Sequence, residues 1–206
     1  MSTYSAIAHD FTPPTATSVS SQGASAMVLI KSITASSDST ISFQDGSSSV
    51  VLDSTYKTYI VKWSNCHPAN DGVEFQFQGN AAGGSGFNET IQSTHFNGLH
   101  SESGSAELTY ETNHDSANST DFQTLTRDVG NGSDECTSGE LYIFNPSNTT
   151  FITHFISSAM TYHNSDFAEQ SYVGGYFNTT SAIDEIQFKF SGGNIDAGTF
   201  KLYGIA

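Results

Sequence analysis

The sequence predicts an all-β fold, an antiparallel β-sandwich of jelly-roll-like character with about ten strands. Three observations carry this. Short runs alternate apolar and polar residues with a period of two, as in Val73-Glu-Phe75-Gln-Phe77-Gln. Turn-forming Gly, Asn and Asp clusters separate the runs. No segment sustains the 3.6-residue apolar period of an amphipathic helix. At 206 residues the chain fits one sandwich domain, assigned here to residues 26–206.

Residues 1–25 precede that domain and read as an extended arm. Pro13-Pro14 bar a regular helix or central strand there. Tyr4, Ile7 and Phe11 give the arm apolar groups to bury against a neighbouring copy or a scaffold, although a loose end is an equal reading. The same terminus lacks a basic region followed by an apolar run, so no cleaved secretory signal is expected. The longest solid apolar run, Met27 to Ile30, is too short to span a bilayer.

The clearest strands pair within the chain's middle and end. Tyr59, Val61 and Trp63 share one face, followed by Val73, Phe75 and Phe77. Ile186, Phe188 and Phe190 repeat the pattern, as do Phe200 and Leu202. Weaker strand patterns cover 27–34, 39–43, 107–111, 121–126, 140–144, 150–156 and 169–177. Turns are expected at Asp45-Gly46, Asn70-Asp-Gly72, Gly83-Gly84, Asn97-Gly98, Asn131-Gly132 and Gly192-Gly193-Asn194. The stretch 79–120 is dense in Gly, Ser, Asn and His and is expected to form long loops, where binding usually resides.

Charge narrows the function. A formal net charge of −15, from 21 acidic and 6 basic residues, repels phosphate backbones and anionic lipid, which argues against nucleic-acid and membrane partners. It also keeps crowded copies apart unless cations screen it.

Candidate chemistry is sparse. His95 and His100 lie near Glu102, but a spacing of five suits neither a helical nor a strand metal pair, so loop or surface histidines are the expectation. Asp128-Val-Gly-Asn131-Gly-Ser133-Asp134-Glu135 gathers oxygen donors of the kind calcium accepts, but lacks the twelve-residue helix-flanked pattern, so a polar hairpin loop is the favoured reading. No Gly-x-Ser-x-Gly elbow or phosphate-binding glycine loop occurs. A glycan-cleaving enzyme would need two carboxylates facing each other across a groove, which one sequence does not reveal. No catalytic, cofactor or metal residue is therefore assigned. Cys66 and Cys136 either pair or stay as free thiols, and their spacing matches no zinc pattern. Asn-x-Ser/Thr triplets at Asn88, Asn118, Asn131, Asn148 and Asn178 follow from a composition heavy in Asn, Ser and Thr. Tyr162, Tyr172, Tyr176 and Phe177 are candidates for stacking on sugars, with core packing the favoured reading.

Three segments together resemble structural proteins of marine tailed bacteriophages such as cyanophages. They are Tyr56-Lys-Thr-Tyr-Ile-Val-Lys-Trp-Ser-Asn-Cys-His-Pro68, Ser138-Gly-Glu-Leu-Tyr-Ile-Phe-Asn-Pro-Ser147, and Ser191-Gly-Gly-Asn-Ile-Asp-Ala-Gly-Thr-Phe-Lys-Leu-Tyr-Gly-Ile205. The likeness covers residues 27 to 206 and omits the arm. Gly192-Gly193 adds one glycine to the family's ending, which lengthens a turn. The resemblance implies a non-enzymatic virion protein, a capsid decoration, cement or tail-fibre subunit, made in the host cytoplasm and carried on the particle. Its expected partners are other virion proteins and further copies of itself in a homo-oligomer. The alternative is a carbohydrate-binding module that recognises host surface glycans.

Overall fold

The computed structural model describes residues 27–205, all of which fall in strands or connecting loops. Thirteen antiparallel strands and no helix are present among the described residues. The arm expected at residues 1–25 lies outside them.

The strands form two layers. The larger runs β1 (Met27–Ala35), β13 (Ile195–Ile205), β3 (Thr58–Pro68), β9 (Thr137–Phe144), β10 (His154–His163), β11 (Phe167–Phe177) and β5 (Ile91–Ser101). β6 (Ala106–Tyr110) and β7 (Ala117–Ser119) share the far edge of β5. The smaller layer runs β8 (Gln123–Val129), β4 (Val73–Ala81), β12 (Ile183–Phe190) and β2 (Ile41–Gln44). The layers meet at one corner, where His163 of β10 pairs with Val129 of β8, so the sandwich is nearly a closed barrel.

Period-two side chains fill the space between the layers. Phe75 and Phe188 stack at 5.8 Å from adjacent strands of the small sheet. Trp63 from the large sheet closes on Phe75 at 5.2 Å, and Phe77 meets Phe155 edge-on at 4.9 Å. All five rings are buried, so each removes apolar surface from water and adds a ring–ring contact worth about 0.5–1.5 kcal/mol. Gly139 of β9 is needed here, because a Cβ would stand 2.7 Å from the Trp63 ring and 2.6 Å from the Ser158 carbonyl oxygen. The loop after β2 turns at Gly46, whose φ of 72° suits a residue without Cβ.

The expected strands are all present, with shifted ends; 150–156 moves to β10 at His154–His163. The expectation of long loops over 79–120 is corrected. Within it lie β5, β6 and β7, and the supposed turn Asn97-Gly98 sits inside β5. Asn97 pairs with Ser171 in register, and its side chain is buried against Glu169. The eleven expected segments and the two unexpected strands, β5 and β7, make up the thirteen observed, against an expected total of about ten.

Candidate functional site

The inner face of the large sheet changes character along β5 and β11. One end carries Ile91 opposite Phe177, and from there the face turns polar through Ser93, His95, Asn97, Ser171 and Glu169, with Val173 opposite His95, all buried. These polar groups face β8, whose edge toward β10 is bonded only at its Asp128–Gly130 end. A chain of charged side chains fills that gap.

Glu169 is wholly buried on β11. Its Oε1 lies 3.5 Å from Nε of Arg127 on β8 and accepts from Ser171 Oγ at 3.1 Å and Asn97 Nδ2 at 3.4 Å. Arg127 continues to Glu111 at 3.7 Å and to Asp128 at 3.2 Å. His114 then stands between Glu111, 3.5 Å from Nδ1, and Glu74 of β4, 3.3 Å from Nε2. His163 closes the other end on Asp128 at 3.3 Å. Behind His114 lies the His95 ring, with centroids 5.9 Å apart and neither His95 nitrogen hydrogen-bonded.

Burial and charge set opposite protonation tendencies within this chain. Burial pushes the Glu169 carboxyl above the usual carboxylate range, with Arg127 acting against it. Burial pushes His95 down to about 4, and the nearby His114 adds to that. Burial also lowers His163. His114 moves the other way, because its hydrogen bond to Glu74 outweighs its desolvation. The same bond lowers Glu74. The arrangement stores charge and braces the 111–122 segment. Gln123 helps: its Nε2 donates to the His114 carbonyl at 2.8 Å while its Oε1 accepts from Ser93 and Ser116. Outside His114 and Glu74 lies a polar cleft of about 570 Å³ that also takes in Asp115, Asp121, Phe122 and Lys189. Lys189 Nζ sits 4.1 Å from the Phe122 ring centroid.

The second feature is the outer face of the large sheet. Of nine exposed large hydrophobic side chains among the described residues, eight point from this face. Tyr110, Phe96 and Tyr172 stand side by side on β6, β5 and β11, with the first two rings 5.1 Å apart. Leu108, Ile156 and Met160 flank them, and Met27 and Leu29 lie at the β1 edge. Leu108 is 84% exposed. The ninth, Phe151, is on the loop between β9 and β10.

The residues singled out by sequence distribute unevenly over these features. His95 is buried rather than a surface histidine, and His100 is exposed on the opposite face of β5, because an odd spacing on a strand reverses the side. Glu102 accepts from Tyr162 Oη at 3.4 Å, away from His95. In the 128–135 loop the carboxylates diverge: Asp128 faces Arg127 and His163, and Glu135 turns back to the Gly132 amide. No group of three or more His, Cys, Asp or Glu is placed to hold a metal among the described residues. Cys66 and Cys136 are both free thiols. Burial raises the Cys66 thiol well above its ordinary range and raises Cys136 as well. Core packing holds for Phe177 and is corrected for Tyr172, which is 49% exposed. Tyr162 and Tyr176 are half-buried on the same outer side. Sequence reading missed Phe96, Tyr110, Arg127 and Glu169. The signal for the first two was strand parity, in a segment read as loop for Phe96 and in the expected strand 107–111 for Tyr110.

Comparison of the chain with protein-family models, curated proteins and solved structures gives no match. No helix among the described residues is long and apolar enough to cross a membrane.

Proposed function

We propose that the chain is a non-enzymatic structural protein of a bacteriophage particle, displayed on the capsid or tail as a decoration, cement or fibre subunit. The observation that carries this reading is the one-sided exposure of apolar side chains on the large sheet. Monomeric proteins rarely leave a contiguous apolar patch of this kind uncovered, and the cores of interfaces are rich in aromatic residues and Met and poor in charge. Two stacked sheets sharing one aromatic core supply a stiff module, and the outer face supplies the contact. The resemblance of residues 56–68, 138–147 and 191–205 to phage structural proteins supports the same role, since those segments form β3, β9 with its following turn, and β13. The buried carboxylates favour a bracing role over catalysis, because Glu169 and Glu111 are engaged by Arg127. The chain would then be made in the host cytoplasm and carried on the particle, in contact with other virion proteins and its own copies.

The test is mass spectrometry of purified particles from a host whose phage encodes this chain. Stoichiometric presence supports the proposal, and recovery of the protein only from the unassembled lysate fraction removes it.

A second reading, recognition of host surface glycans, is favoured by the exposed Tyr110–Phe96–Tyr172 row, since aromatic rings stack on the apolar faces of sugars. Binding on a glycan array that disappears in Tyr172→Ala supports it, and a silent array counts against it.

A further inference from the structure

We propose that two copies of this chain stack face to face through the outer surface of the large sheet, about a two-fold axis running along β10. This rests on the reading of that face as an assembly surface and names what covers it.

The first argument is charge. Two molecules of net charge −15 repel, so they meet only where acidic side chains are few. Three neighbouring rows of the outer face cross β9, β10 and β11. One contains Ser138, Met160, Gln170, Gly98 and Leu108. The next reads Lys201, Lys62, Glu140, Ser158, Tyr172, Phe96 and Tyr110 in strand order. The third reads Tyr203, Ile60, Tyr142, Ile156, Gly174 and Thr94. The charged side chains of these rows are Lys201, Lys62 and Glu140, two positive and one negative, on a chain with 6 basic against 21 acidic residues.

The second argument is the order within the rows. Isologous packing requires that residue i meet residue j and that j meet i. In the middle row the groups on either side of Ser158 are complementary and equally spaced. Turning a second copy about β10 sets Glu140 against Tyr172, Lys62 against Phe96, and Lys201 against Tyr110. A tyrosine hydroxyl then donates to a carboxylate, and two ammonium groups meet aromatic rings. Lys62 keeps its own ion pair to Glu140, now 2.9 Å, inside the contact. Each of these contacts occurs twice in the pair.

The third argument is shape. In the row beside it the same rotation sets Tyr142 against Gly174. A Cβ on Gly174 would meet only Thr94 Oγ1, at 3.9 Å, so the space above it is open and accepts a ring. Ile156 and Met160 lie on the axis, and each meets its own counterpart. Sheets stacked in this way pack about 10 Å apart with their strands roughly aligned.

The test places a thiol on the axis. In the full-length chain carrying Cys136→Ser, the added Ser158→Cys is treated with a short bis-maleimide. Cys66 is buried and stays silent. A covalent dimer is expected for Ser158→Cys and none for Ser133→Cys, on an exposed loop. Sedimentation equilibrium of the unmodified chain should give twice its 22.0 kDa. Ile156→Asp should raise the dissociation constant by about tenfold or more, as expected when a central apolar anchor is lost. A 22.0 kDa species at every concentration with no cross-link at position 158 overturns the inference, as does a dimer that cross-links through Ser133→Cys instead. A monomer that binds a glycan through Tyr172 overturns it in favour of a sugar ligand. A monomeric protein present on particles leaves the virion role standing without this dimer; a dimer absent from particles does the reverse.

Discussion

Replacing Arg127 by Met tests whether the buried charge chain holds the polar half of the sandwich together. Arg127 is the cation nearest Glu169, which has no exposure, and it also reaches Glu111 and Asp128. The substitution keeps an unbranched apolar stem and deletes the guanidinium and its charge. Glu169 would keep only Ser171 and Asn97 as donors, and its second oxygen, Oε2, already has no hydrogen bond. Removing one partner of a buried ion pair costs about 3–5 kcal/mol, because a buried charge is left uncompensated. Glu169→Gln removes the carboxylate while retaining two polar contacts, so it should cost about 1–2 kcal/mol. If the two residues act on each other, the double variant should be more stable than the sum of the single losses by about 2 kcal/mol. The assay is urea unfolding followed by the fluorescence of Trp63, the chain's one tryptophan, which is buried against Phe75. The pH dependence adds a sign. The Glu169 carboxyl titrates above its unfolded value, so the folded state binds its proton more tightly, and stability falls as pH rises from the unfolded value through the folded one. Arg127→Met should extend that fall to higher pH. A loss below about 1 kcal/mol, with additive single effects, would refute the bracing role.

Three further outcomes follow from named contacts. His114 is raised by Glu74, so it contributes stability below its unfolded value near 6.5 that is lost as pH rises through the folded value; His114→Gln should flatten that alkaline decline in the urea midpoint. His95 is held neutral with its value at about 4, so stability should fall as pH drops from about 6.5 toward about 4, and His95→Phe should make that acid limb shallower. Gly139→Ala should lower stability by about 1–3 kcal/mol by thermal or urea unfolding, since its methyl group would press on Trp63 and on the backbone of Ser158 and Ala159; an unchanged midpoint would count against the close approach.

The legibility of the fold followed the chemistry of the inner face. β4 and β12 were readable because Phe75, Phe77, Ile186, Phe188 and Phe190 alternate with polar residues that face out. β5 was not, because Ser93, His95, Asn97 and Ser101 point inward and imitate a solvated loop. Ser93 is engaged by Gln123 and Asn97 by Glu169, 30 and 72 residues away in sequence, so a local window cannot see those partners. Asn97-Gly98 added a turn signal inside a strand, where Gly98 simply faces out opposite Leu108. The charge chain was hidden for a related reason. Glu74, Glu111, Arg127 and Glu169 belong to four separate segments, and no spacing links them. The outer aromatic row became visible only once β5 was placed between β6 and β11, since Tyr172 and Tyr110 lay in expected strands while Phe96 lay in the supposed loop.

Hydroxyl-radical footprinting of the full-length chain reads out the outer face most directly, because Met160, Tyr172, Phe96 and Leu108 all react readily when wet. Labelling of these four should fall steeply as concentration rises or as the protein enters a particle, while Phe151, 72% exposed on its loop, keeps its full labelling. Equal labelling of all five under every condition would mean that the large sheet stays bare, and the assembly role would go with it.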